Sequence, residues 1–223
     1  MTAIAIFVKT PGLSPVKTRL AADWGQALAE RWYRLAADAV AELGLAAATG
    51  QVYWAVAETA AQAAGKWQTL PLVEQGTGNL GERMSRVHAR LTRLHGSALL
   101  LGADTPQVDP ACLQQAQEWL AGSRPRLCIG PASDGGFWTI GANHPLPVEC
   151  WSAVSYSRAD TLDRFRAQMA GLGDWLVLPC LTDLDTIAEL PAVVAQLQAL
   201  HSPTPKQQEL LAWTLESFRQ ESS

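Results

Sequence analysis

Short apolar runs of strand length alternate along this chain with longer stretches of helical pattern, and this alternation limits the fold more than any other feature. AIAIFV (residues 3–8) is a continuous apolar run ending at a Pro/Gly loop, as expected of a strand covered on both faces. QVYWAVAE (51–58), residues 70–74, SALLLGA (97–103) and residues 126–131 read as further strands. Helices are predicted over 24–43 with Gly44 as the cap, just after Glu58, over 80–94, from near Pro110, over 187–200 and over 207–219. Strand and helix alternate in this way through four units, which predicts an α/β protein with a mostly parallel sheet. Such sheets bind ligands at their strand C-termini, which directs attention to the loops after Val8, Leu101 and Pro131.

A chain of 223 residues, 48% of them hydrophobic, can bury a sizeable core, and one domain over 1–223 is expected. Net charge is −4 and the pI is about 5.6, so electrostatics offer no case for nucleic acid or an anionic membrane as partner. No apolar stretch reaches membrane-spanning length and the first residues lack a signal-peptide pattern, so a cytoplasmic location is expected. Cys112, Cys128, Cys150 and Cys180 are irregularly spaced, which predicts buried, reduced thiols. Nine tryptophans are scattered through the chain, as packing residues would be. The four histidines show neither metalloprotease spacing nor a partner serine in a nucleophile elbow.

The first loop, FVKTPGLSPVKTRLA (residues 7–21), approaches the phosphate-binding pattern G-x-x-x-x-G-K-[ST] through Gly12, Lys17 and Thr18. It is one residue short, Val16 replaces the second glycine, and Pro15 has no N–H. A phosphate here would therefore be held mainly by side chains, with Lys9, Lys17 and Arg19 as the cations beside Thr10, Pro11 and Gly12. LLLGADTP sets Asp104 directly after a buried strand, where a carboxylate projects from the sheet edge, and Asp109 takes the helix-capping position. In LTDLDT, Asp183 and Asp185 lie two apart and share a face when extended; either can join Asp104 on one divalent ion. GPASDGGFWTIG reads as a hairpin in which Gly135 and Gly136 permit close ligand approach beside Asp134, with Trp138 as a wall. QGTGNLGERM places Gln75, Gly81 and Arg83 at a loop-to-helix junction capped by Asn79 and Glu82.

These five motifs, in this order over about residues 3–200, resemble the GT-A-like nucleotide-diphospho-sugar transferases known as selenodomain-associated transferases or glycosyltransferases. More distantly they are similar to phospholactate guanylyltransferases and molybdopterin nucleotidyltransferases. The resemblance implies a three-layer α/β/α Rossmann-like GT-A sandwich with a nucleotide over the first strands. It implies Mg²⁺ or Mn²⁺ on Asp104 and Asp185, and Lys17 and Arg19 on phosphates. The DGG turn would face the transferred group or a small-molecule acceptor, and Lys17, Asp104 and Asp134 would form the catalytic set. A nucleotide-sugar donor is expected. Nucleotidyl transfer from an NTP is the alternative, since the central motif is ADTP with one aspartate instead of D-x-D. A binding module that has lost catalysis is a third reading, disfavoured because cations and carboxylates are both present.

Overall fold

The computed structural model describes residues 1–221. Its seven strands are β1 (Thr2–Val8), β2 (Val52–Val56), β3 (Leu72–Glu74), β4 (Ser97–Gly102), β5 (Arg126–Pro131), β6 (Phe137–Ala142) and β7 (Asp174–Val177). They form one sheet in the order β3-β2-β1-β4-β6-β5-β7. Only β6 runs antiparallel to its neighbours. The helices are α1 (Thr18–Trp24), α2 (Gln26–Ala47), α3 (Ala60–Ala63), α4 (Leu80–His95), α5 (Pro110–Leu120), α6 (Val148–Ser152), α7 (Thr161–Gln168), α8 (Leu190–Gln198) and α9 (Pro205–Glu221). No helix among the described residues is long and apolar enough to cross a membrane.

Period-two alternation makes the layers. In β1, Ile4, Ile6 and Val8 enter a core with Val40 of α2 and Leu113 of α5, while Ala3 and Ala5 enter the opposite core with Val87 and Leu91 of α4. A third cluster packs Trp32 and Leu35 of α2 against Val193 of α8 and Leu210 of α9. All nine tryptophans lie in or against these three clusters, as packing residues.

Some boundaries differ from expectation. The helix predicted over 24–43 breaks at Gly25, whose φ of 83° separates α1 from α2. It then continues through Gly44 to Ala47. Gly44 is a packing glycine, because a Cβ there would lie 3.2 Å from Val52 Cγ1 on the sheet. Strand β7 was not anticipated: DWLV is short and half exposed, so it carries neither a buried run nor clean alternation. All four cysteines are free, but only Cys128 is buried and Cys180 is exposed, because Cys180 falls in the loop after β7.

The chain moves outward from β1 to β2 and β3, then returns to β4 on the other side of β1. The C-terminal ends of β1 and β4 thus form a switch point, where their loops diverge and leave a crevice. Three later contacts gather the acidic loops above it. Gln107, just beyond the ADTP turn, donates through Nε2 to the Thr182 carbonyl at 2.6 Å and to Gln196 Oε1 at 3.0 Å. Gln207 of α9 donates to the carbonyls of Pro106 and Val108 at 2.7 and 2.9 Å. Ser133 N donates to Leu181 O at 2.9 Å, and Leu181 N to Pro131 O at 3.1 Å, which pairs the hairpin with the LTDLDT segment.

Two outcomes follow for stability. Replacing Gln107 by Leu leaves the half-buried Thr182 carbonyl and Gln196 Oε1 without that donor, and should cost about 1–3 kcal/mol in urea denaturation. His88 of α4 is fully buried beside Trp151, and burial, reinforced by the charge of His144, pushes its pKa down to about 4. The folded state therefore resists a proton that the unfolded chain accepts near pH 6.5. This contribution is intact above that pH and is lost as pH falls from about 6.5 to about 4, on the order of 3 kcal/mol in total. His88→Phe should flatten this part of the stability profile, measured by urea denaturation at pH 7 and pH 4.5.

Candidate functional site

A cavity of about 530 Å³ opens above the switch point, within the size range of small-ligand pockets. Its floor is formed by the ends of β1 and β4, and Lys9, Lys17, Arg19, Asp104, Asp183 and Asp185 all face it. The hairpin contributes Asp134 and Gly136 from a second side, and Tyr156, Ser157 and Arg158 close a third.

The first loop reaches this position through buried anchors. Val16 and Leu20 are 4% and 0% exposed, and between them Lys17 takes the left-handed conformation at φ 47°, ψ 41°. Lysine adopts that region at a cost, so surrounding contacts must hold it there. The Lys17 side chain is 3% exposed, with Nζ 2.7 Å from Asp104 Oδ2 and 3.2 Å from Asp185 Oδ1. Arg19, largely exposed, pairs with the other oxygen of Asp185. Burial opposes the Lys17 charge, but the carboxylates of Asp104, Asp185 and Asp183 outweigh it and hold its pKa above that of an ordinary lysine. Burial pushes the Asp183 carboxyl up to about 7, with Asp104 adding to the shift. Asp104 and Asp185, 81 positions apart in sequence, are thus brought together through an ammonium. No group of three His, Cys, Asp or Glu side chains among the described residues is arranged to hold a metal ion.

At the hairpin, Asp134 Oδ1 accepts from Gly136 N at 2.8 Å, which shapes the turn and leaves the second carboxylate oxygen toward solvent. Gly135, at φ 87°, packs against the Ala159 backbone outside the cavity, and its carbonyl accepts from Leu162 N at 2.8 Å.

Several residues expected at a ligand have other partners. Thr10, Pro11 and Gly12 turn away from the cavity: Thr10 donates through N and Oγ1 to Glu58 at 3.0 and 2.7 Å and accepts from Trp67 Nε1 at 3.0 Å. Gly12 has φ 86°, with nothing near where a Cβ would stand, so it serves the turn alone. Gln75 borders the cavity, but its Nε2 is engaged by the carbonyls of Val8 and Ala55 at 3.2 and 2.8 Å. Gly81 lies where α4 meets α6, and a Cβ would come 2.5 Å from the Trp151 carbonyl. Arg83 donates to the Gly78 carbonyl at 2.9 Å and does not face the cavity. Trp138 borders the cavity as expected but is 3% exposed, with Nε1 donating to Pro179 O at 3.0 Å and its ring pressed on Gly130. The capping box of Asn79 and Glu82 and the Asp109 cap form as expected.

Sequence reasoning missed Tyr33 and the Tyr156 to Arg158 segment. Tyr33 reaches in from α2 and accepts from Lys9 N at 3.0 Å, fixing the start of the first loop. Its neighbourhood in sequence is a plain helical pattern, so no local signal marks it. Ser157 holds φ 59° at the cavity mouth, which S-Y-S-R does not disclose either.

Among solved structures, this architecture matches one from Desulfovibrio desulfuricans G20, provisionally named a nucleotide-diphospho-sugar transferase. That match has a TM-score of 0.84 at 24% identity and covers 98% of this chain and 97% of the other. CMP:2-keto-3-deoxy-manno-octonic acid synthetase, complexed with CTP, matches at TM-score 0.55 and 14% identity over 89% of this chain and 99% of its own. A nucleotidyl transferase from Methanothermobacter thermautotroptrophicus matches at TM-score 0.52 and 14% identity over 99% of both chains. The fold is therefore shared with sugar-nucleotide and nucleotidyl transferases. No curated protein matches the chain in sequence. The profile of DUF2064, described as an uncharacterized protein conserved in bacteria, matches residues 26–158, over half of the chain, and the chain belongs to that family.

Proposed function

We propose that residues 1–223 form one cytoplasmic, metal-dependent transferase domain that takes a nucleotide-sugar donor and a small-molecule acceptor. The observation that carries this reading is the convergence of Lys17, Arg19, Asp104 and Asp185 in one cavity above the β1/β4 switch point. The name of the Desulfovibrio desulfuricans structure, similar over nearly the whole chain, supports the same class of donor.

The donor set fits a hard divalent cation. Asp104 and Asp185 offer oxygen ligands, and Mg²⁺ typically takes one or two protein carboxylates with phosphate and water completing its shell. Bound there, Mg²⁺ or Mn²⁺ would supply positive charge to the diphosphate. Lys9, Lys17 and Arg19 stabilise the charge that grows on the leaving phosphate, Lys17 most strongly because its side chain is 3% exposed. Asp134, with one oxygen occupied by Gly136 N, can accept the acceptor's proton on the other. The acceptor oxygen then bonds to the anomeric carbon, the bond from that carbon to the diphosphate oxygen breaks, and a nucleoside diphosphate leaves.

A second reading, nucleotidyl transfer to a phosphorylated acceptor with pyrophosphate release, is favoured by the single aspartate of ADTP. The names of the structures at TM-scores of 0.55 and 0.52 point the same way.

The purified protein, incubated with Mg²⁺ or Mn²⁺ and a panel of NTPs and NDP-sugars, should release nucleoside diphosphate from one sugar donor. Pyrophosphate release would select the second reading, and nucleotide binding without turnover of any donor would leave a binding module. Asp104→Asn should lower turnover about 100-fold with an unchanged circular dichroism spectrum. Lys17→Ala combined with Arg19→Ala should weaken nucleotide binding by about tenfold or more, read by calorimetry.

A further inference from the structure

We propose that the carboxylates of Asp104 and Asp185 form a single cation site that the Lys17 ammonium and a divalent metal ion occupy in turn, so that metal entry releases Lys17 toward the nucleotide phosphates. The inference rests on the metal-dependent transferase reading and adds an order of events to it.

The geometry carries the exclusion. Lys17 Nζ lies between the two carboxylates, 2.7 Å from Asp104 Oδ2 and 3.2 Å from Asp185 Oδ1, and Arg19 pairs with the other oxygen of Asp185. Mg²⁺ draws its ligand oxygens to about 2.0–2.1 Å, and a doubly charged ion at that distance repels an ammonium bonded to the same two groups. The ammonium and a divalent ion drawn to the same carboxylate pair therefore compete.

Lys17 can leave without the loop unfolding. Buried Val16 and Leu20 hold the backbone on either side, while the four-carbon stem of lysine is flexible. The left-handed backbone at Lys17 directs this one side chain inward from a loop whose other cations, Lys9 and Arg19, belong to exposed residues. The charge balance supplies a reason for the exchange. Asp104, Asp134, Asp183 and Asp185 face Lys9, Lys17 and Arg19 across the cavity, and Arg158 is already paired with Asp160. A nucleotide diphosphate brings further negative charge to this balance. While Lys17 is held between two carboxylates its charge is spent on them. Once a divalent ion neutralises that pair, the ammonium becomes available to phosphate.

The test measures binding of Mn²⁺ alone, without nucleotide, by loss of the electron paramagnetic resonance signal of the free ion. Lys17→Met should bind Mn²⁺ at least about tenfold more tightly than the wild type, because the ammonium between the two carboxylates is gone and only Arg19 remains on Asp185. In the wild type, acylation of the Lys17 amine, followed by mass spectrometry, should be slow without Mn²⁺ and rise several-fold when the ion saturates; this measurement decides the matter if Lys17→Met does not fold. The exchange is overturned if Lys17→Met binds Mn²⁺ no more tightly while Asp104→Asn abolishes binding, or if Lys17 acylation in the wild type ignores saturating Mn²⁺. If Asp104→Asn and Asp185→Asn both bind Mn²⁺ as the wild type does, the metal site itself is misplaced and the exchange falls with it.

Discussion

The enclosed Lys17 ammonium joins parts of the chain that lie 87 and 168 positions away, at Asp104 and Asp185, and the site depends on that junction. A buried ammonium without carboxylates would carry an uncompensated charge, and the carboxylates without the ammonium would repel one another. Each therefore holds the other side chain in place, while buried Val16 and Leu20 hold the left-handed turn at Lys17 from either side. The same pairing keeps Lys17 charged: burial works against the ammonium, and three neighbouring aspartates work more strongly for it.

A second device supports the first. Strand and helix ends, and the loops beyond them, leave backbone carbonyls that need a donor. Glutamine amides from distant segments supply several of them. Gln75 serves the carbonyls of Val8 and Ala55, Gln107 that of Thr182, Gln117 that of Ala47, and Gln207 those of Pro106 and Val108. The glutamine ties at Thr182 and Pro106 hold the loops that carry Asp104 and Asp183 near one another, so they set the cavity's acidic side without facing the ligand themselves.

The layered sandwich and the acidic cavity are two levels of one arrangement. Because β1 carries Ile4, Ile6 and Val8 on one face and mostly small residues on the other, it can sit at the centre of the sheet with helices on both sides. That central position makes its C-terminal end, next to β4, the place where loops separate. Lys9 and Asp104 then follow adjacent strands as a matter of topology, whereas Asp134 and Asp185 arrive from the far half of the sheet.

The sequence by itself determined the α/β class, six of the seven strands and the helix caps at Asn79 and Asp109, because these depend on local periodicity and capping chemistry. It also singled out Lys17, Arg19, Asp104, Asp134 and Asp185 as residues placed just beyond strand ends or in turns. Only the tertiary structure decided which of the candidates face one cavity. Thr10 is taken by Glu58 away from the cavity, while Gln75 and Trp138 border it with their side-chain donors engaged by the carbonyls of Val8, Ala55 and Pro179, partnerships between segments that no local pattern encodes. It likewise decided that Asp104 and Asp185 meet across an ammonium. A hydrogen bond or ion pair between distant residues depends on where the sheet and its crossovers deliver their loops, and periodicity along the chain is blind to that distance.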